Sequence, residues 1–221
     1  MSRAEQRVSK GEQTRAAIID AALEQAASHG LEGLTIGSLA ERMRMSKSGV
    51  FAHFGSREDL QIAVLKEYER RFAEDVLATS LAVPRGLERL DAMLGRWIEK
   101  STHEAERGCL WISCAAEYDD RPGAVRDELV AMILSWKAAL SRAIQLAIET
   151  GELRADTDVS EMIFDIYGVI LVLHHDSRLL ASPSAGRRAR LAIARIIDAR
   201  RSAPQPAAST TGSRATDRSA A

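Results

Sequence analysis

Residues 35–60 read TIGSLAERMRMSKSGVFAHFGSREDL, and no other stretch of the chain constrains its fold as tightly. A short helical run, Ile36 to Met43, is followed after a tight turn by a second one, opened by Ser46 and closed by Gly55. Ser46 stands where a side-chain oxygen can accept from the exposed N–H groups of the following turn. Gly55 stands where a helix ends on a left-handed residue. Leu39, Ala40, Met43, Met45, Val50 and Phe54 can pack between the two helices, and Ala40 is small enough to let the backbones approach. Lys47, Ser48, Gly49, Phe51 and His53 are left facing out. This is the layout of a helix-turn-helix, whose second helix lies in the DNA major groove.

The charge pattern agrees. From Arg42 to Arg57 there are four bases (Arg42, Arg44, Lys47, Arg57) and no Asp or Glu. A local unopposed basic surface suits a phosphate backbone, which dominates nucleic-acid affinity. The plainer alternative makes both helices part of a helical core with a basic turn. Over the whole chain of 221 residues the net charge is −1, unlike a nonspecific nucleic-acid coater, so any DNA-facing charge is local.

Thr35, Leu39 and Ala40, then Ser46 through Phe54, then Ser56 through Leu60 resemble the N-terminal domain of the tetracycline-repressor-like (TetR/AcrR) family, over about Thr14 to Val64. The resemblance implies an all-α chain of about nine helices, with a three-helix DNA-binding domain followed by a helical effector-binding and dimerisation domain. With the outward face, it marks Thr35, Arg44, Ser46, Lys47, Ser48, Gly49, Phe51, His53 and Arg57 as DNA-contacting. It further implies a homodimeric regulator, most often a repressor, on a near-palindromic operator. Two departures stand out. Arg44 occupies a turn position where the family usually has Gly, so the turn closes differently or under strain. Phe51 replaces a frequent Tyr whose hydroxyl reaches a phosphate.

The remainder reads as helices. Ser9 and Glu12 have capping-box spacing, followed by the stripe Ile18, Ile19, Ala22, Leu23 and Ala26 up to Gly30. Ser56 opens a helix on which Leu60, Val64, Tyr68, Phe72 and Val76 recur every fourth residue, a stripe of about five turns. Leu87, Leu90, Leu94, Trp97 and Ile98 mark the next helix, broken at Gly108 before a shorter one from Cys109 to Tyr118. Val125 to Ile148 forms another stripe, ending at Gly151. Asp158 caps a helix whose run Met162 to Leu173 is apolar nearly all round, so it needs cover on every side. Ser182-Pro183 is read as the cap of the last helix. The expected division is 1–55 for an arm and DNA-binding domain, 56–201 for effector and dimer, and 202–221 for a disordered tail. The dimer is expected through residues 160–180 and 183–200.

No catalytic motif is visible: there is no H-E-x-x-H, no phosphate-binding Gly loop and no nucleophile elbow. No enzyme activity, cofactor or metal is expected. Cys109 and Cys114 lie five positions apart on different helix faces, which favours buried thiols over a disulfide or metal site. Two cysteines and no visible signal peptide suit a reduced, cytoplasmic protein, and the run from Met162 is too short to span a bilayer. Tyr68, Phe72, Trp97, Trp111, Tyr118, Trp136, Phe164 and Asp165 are candidates to line a pocket for a small apolar effector, although aromatic stripes usually form core. Asp165 has two readings: a carboxylate paired with an Arg of a neighbouring helix, favoured about two to one, or a polar anchor in that pocket. An all-helical enzyme, and a regulator controlled by a protein partner, are the rival functions.

Overall fold

A computed structural model describes residues 9–107 and 109–203, and these contain nine α-helices. They are α1 (Lys10–His29), α2 (Ile36–Met43), α3 (Lys47–Phe54), α4 (Arg57–Phe72), α5 (Leu87–Arg107), α6 (Leu110–Tyr118), α7 (Ala124–Glu149), α8 (Val159–Arg178) and α9 (Ala185–Asp198). Among the described residues, β pairing is limited to one isolated bridge between Leu153 and Arg201. The expected arm and tail lie outside the described residues, apart from Ser9, Ser202 and Ala203, and so does the expected break at Gly108.

Local capping explains most helix boundaries. The Ser9 hydroxyl accepts from the Glu12 N–H at 3.1 Å, and the Glu12 carboxylate accepts from the Ser9 N–H at 2.8 Å, so the capping box forms in both directions. Asp158 accepts from the N–H groups of Ser160 and Glu161 at the start of α8. The last helix departs from expectation. Ser184, not Ser182, stands at its N-cap, without a side-chain cap bond, and Pro183 stays in the preceding turn.

The helix opened by Ser56 also departs from expectation. It is α-helical to Phe72 and then widens into a π-helical turn, Ala73–Ala78, which still buries Val76. The four-residue spacing of apolar residues does not distinguish these two windings, because it lies between the about 3.6 residues of an α turn and the wider π turn.

α1 packs on α2 and α4, while α4 also packs on α7, so α4 is shared by both halves of the molecule. α7 is by length and composition apolar enough to cross a bilayer. Here it is a core helix: Val125, Leu129, Met132, Trp136, Leu140 and Ile144 are buried, and α4, α5, α6 and α8 pack around it. α8 and α9 pair at the far end.

Candidate DNA-reading face and effector cavity

Each end of the two short helices is fixed by a bond spanning only a few residues. The Thr35 hydroxyl accepts from the Ser38 N–H at 3.1 Å and starts α2. Arg44 closes α2 in the left-handed region, with φ 53° and ψ 41°. Its N–H bonds the Glu41 carbonyl at 3.1 Å, and the Met45 N–H reaches back to the Ala40 carbonyl at 2.9 Å. These two bonds form a Schellman motif. The missing Gly is therefore met by strain, on the order of 1–2 kcal/mol for a residue with a Cβ. The Ser46 hydroxyl then accepts from the Gly49 N–H at 3.0 Å and starts α3. Leu39, Ala40, Val50 and Phe54 are buried between the helices, and Met43 and Met45 are half-buried.

On the outer side, Lys47, Ser48 and Phe51 are exposed, with Gly49 and His53 half-buried. The Lys47 side chain lies across α2, where a Cβ on Gly37 would stand 3.4 Å from its Cε. The four bases of this stretch divide in two. Arg42 pairs with Glu24, and Arg57 pairs with Glu32 at 3.2 Å and donates through Nε to the Leu34 carbonyl at 2.9 Å. Arg44 and Lys47 form no ion pair among the described residues. Arg57, expected on DNA, also ties α4 to the loop between α1 and α2 while its side chain stays 42% exposed, and the oxygens of Thr35 and Ser46 accept as caps.

That loop also joins the two halves, at a junction no sequence pattern marked. Glu117 of α6 accepts from the N–H of Leu31 at 2.8 Å and of Glu32 at 2.9 Å, in the loop between α1 and α2. Gly30 makes the approach possible: its φ is +76°, and a Cβ there would sit 2.7 Å from a Glu117 oxygen. The Tyr118 hydroxyl donates to Glu32 at 2.5 Å, and Arg121 pairs with Glu32 at 3.2 Å. The hydroxyl of Tyr118, aided by Arg57 and Arg121, holds the Glu32 carboxyl below its ordinary pKa. Gln61 of α4 donates to the Leu31 carbonyl at 2.8 Å from a buried position.

Behind the junction lies a cavity of about 210 Å³. α4 contributes Tyr68 and Phe72, α5 contributes Trp97, Ser101 and Glu104, and α6 contributes Trp111, Ile112 and Ala115. Cys109 at the N-cap of α6, Ile133 and Lys137 of α7, and Tyr167, Ile170 and Leu171 of α8 complete the wall. Four of the eight expected pocket residues are there. Trp136 stands behind them, its ring centroid 4.9 Å from Phe72 and 5.1 Å from Trp97. The other three are elsewhere. Tyr118 belongs to the junction; Phe164 is 79% exposed on the outer face of α8; Asp165 pairs with Arg200 at 2.7 Å. The paired reading of Asp165 is the one observed.

The polar groups of the wall had no sequence signal. Glu104 has both oxygens engaged, one by the Tyr68 hydroxyl at 2.9 Å and one by Lys100 at 3.1 Å. Lys137 holds its ammonium 4.8 Å above the Tyr167 ring. Burial pushes the Cys109 thiol up to about 12, so it is protonated and unreactive, and Cys114 is buried and raised likewise. Both thiols are free.

A capped helix-turn-helix joined by a shared helix to a helical body with a closed-in cavity defines a DNA-binding regulator with room for a small molecule. The comparisons narrow the class. Residues 18–64 match "Bacterial regulatory proteins, tetR family", and residues 86–193 match "Tetracyclin repressor-like, C-terminal domain". The chain belongs to the tetR family. It is 38% identical over 85 residues to the HTH-type transcriptional repressor AcnR of Corynebacterium glutamicum, covering 36% of this chain and 45% of that protein. The curated relatives it matches are covered over 40–65% of their own length. A TetR-family regulator from Cytophaga hutchinsonii superimposes with a TM-score of 0.75 at 23% identity, over 89% of this chain and 98% of that one. A regulator from Saccharomonospora viridis, solved in complex with choline, gives 0.69 at 18% identity over 84% and 96%. Membership in this family makes the chain a regulator and not an enzyme.

Proposed function

We propose that this protein is a cytoplasmic transcriptional repressor that binds a near-palindromic operator as a homodimer and is released by a small-molecule effector. The observation carrying the DNA reading is the pair Arg44 and Lys47, cations without a carboxylate partner among the described residues, at the turn and start of a doubly capped α3. The repressor assignment rests on the similarity to AcnR. Ser48, Gly49, Phe51 and His53 share the reading face, with Phe51 offering an apolar edge where a Tyr would offer a hydroxyl.

Dimerisation through α8 and α9 is supported by what they leave uncovered. Phe164, Leu171, Val172, Leu179, Leu180 and Leu191 are all exposed. Gly168 has open space where a Cβ would be, so a second backbone can come close. Apolar surface of this extent marks an interaction site. Two helices from each subunit give a four-helix bundle, whose twofold axis suits a palindromic site.

The cavity supports a ligand over a protein partner as the controlling signal, because a side-chain-filled core would leave nothing to occupy. Among the elements that touch both cavity and DNA-binding half, α4 and α6 reach closest to the helix-turn-helix, while α5 packs on α1. α4 carries Tyr68 and Phe72 and begins beside α3; α6 carries Trp111 and Ala115 and ends in Glu117 and Tyr118 at the 30–34 loop. An occupant that displaces either one changes the spacing of two recognition helices, which must match half-sites roughly 34 Å per DNA turn apart. Reciprocity requires that operator DNA weaken effector binding by the factor by which effector weakens operator binding.

The test is selection of genomic fragments by the purified protein, followed by titration of the enriched site and sedimentation of protein alone. A palindromic site bound by a dimer is expected. Absence of any enriched site, or a monomer at micromolar concentration, would overturn the reading.

A further inference from the structure

The wall of the cavity is mostly aromatic, and an aromatic cage with a carboxylate would ordinarily suit a cationic ligand. The charges here point the other way. Glu104, the carboxylate of the cage, already has both oxygens engaged: Tyr68 donates to one and Lys100 to the other, with Lys100 shared with Asp75 at 2.8 Å. Lys137 has no such partner. Among the described residues it forms no ion pair, and the ring face of Tyr167 is all that its ammonium rests on. The hydroxyl of Tyr167 is buried without a hydrogen-bond partner. The cavity wall therefore holds one acid with both oxygens engaged, one cation without an ion pair among the described residues and an unused hydroxyl.

We propose that the cavity takes a compact amphipathic carboxylate, one apolar ring or short chain ending in a single anionic group that pairs with Lys137. This rests on the effector-site reading above and sharpens it. A half-buried ammonium on a ring face gains a charge-assisted hydrogen bond when a carboxylate arrives, which is roughly twice as strong as a neutral one. A cation would meet Lys137 instead, and would have to compete with Tyr68 and Lys100 for the oxygens of Glu104. The size is also limiting. About 210 Å³ exceeds the roughly 150 Å³ of a cavity that takes benzene, and falls short of the roughly 300–1,000 Å³ of drug-sized sites. Tyr68, Phe72, Trp97 and Trp111 would enclose the apolar part of the ligand.

Benzoate, benzamide and benzamidinium share one shape and differ in charge, so they serve as probes. Binding to the full-length protein is measured by ligand-observed NMR up to millimolar concentration, for the natural chain, Lys137→Met and Lys137→Arg. Benzoate is expected to bind about tenfold or more tighter than benzamide, with benzamidinium weakest. Lys137→Met should erase the difference and Lys137→Arg keep most of it, both with natural melting temperatures. Equal or tighter binding of benzamide or benzamidinium overturns the proposal, as does discrimination that survives Lys137→Met. Failure of all three probes to bind overturns the compact-anion assignment. Operator affinity, measured in the same samples, separates the two claims: benzoate that binds through Lys137 without weakening operator binding leaves the site standing and removes the effector role.

Discussion

Among the described residues Lys47 and Lys137 are both without a carboxylate partner, yet the two regions that hold them are built in opposite ways. Lys47 stands on a convex, solvated surface assembled from 26 consecutive residues, Thr35 to Leu60, with every cap bond spanning a few positions. Lys137 stands in a concave apolar wall assembled from five helices. An exposed cation costs almost nothing to leave unpaired, and its value appears only against a polyanion. A cation in an apolar wall is costly to leave unpaired, so its lack of a partner carries more information about what should arrive there.

The largest effect is expected at the cavity. Phe72 packs against Trp97, Trp111 and Trp136, with centroids 4.8 Å from Trp111 and 4.9 Å from Trp136. Phe72→Ala is expected to cost about 3–5 kcal/mol in denaturant unfolding, since a buried ring leaves a hole its neighbours fill only partly. The reading face, with its local packing, should keep its helicity until the global transition. A loss under 1 kcal/mol would mean that the wall collapses freely and that its size says little about a ligand.

The next effect falls between the regions. Glu117→Ala removes a carboxylate accepting two N–H bonds and is expected to cost about 1.5–3 kcal/mol, as for hydrogen bonds to charged groups. Faster amide hydrogen exchange at Leu31 and Glu32 would show that the cost is local. If α6 carries the effector signal, the variant should also lose most of the effector's influence on operator affinity. The junction should be acid-sensitive as well. The folded-state pKa of Glu32 is lowered, so its contribution is complete above the ordinary carboxylate range and is lost as pH falls through the lowered value.

Smaller changes sharpen the reading face. Lys47→Ala removes one contact from each of two subunits, so it should lower the salt slope of dimer binding by about two and weaken binding roughly 25-fold near physiological salt, the release of two counterions. Equal slopes would remove Lys47 from the phosphate contacts. Arg44→Gly separates fold from function. Relief of the left-handed Arg44 should raise stability by about 1 kcal/mol while operator affinity falls, and the two move in opposite directions only if Arg44 contacts DNA.

The helix-turn-helix was legible because its signals are local. Ser46, Gly55 and Ser56 cap through bonds reaching three or four positions, so the sequence alone places them. Arg57 shows the limit of that legibility. Its charge was visible, but Glu32 and the Leu34 carbonyl, which hold it, come from a loop on the far side of α2 and α3. Tyr118 was drawn into the expected pocket because aromatic residues cluster on nearby helices. At the last position of α6, however, it reaches the 30–34 loop and not the cavity.

The sequence by itself determined the all-helical class, the capped reading unit and the apolar stripes, since helical periodicity and end caps are set by residues within about a turn of one another. Only the tertiary structure decided which aromatic residues enclose space and which charges are spent on one another. Asp165 and Arg200 meet across 35 positions, Glu117 and Leu31 across 86, and Lys137 reaches the ring of Tyr167 on the next helix. Charge pairing depends on separations of a few ångströms in space, and helix packing, not spacing along the chain, sets those.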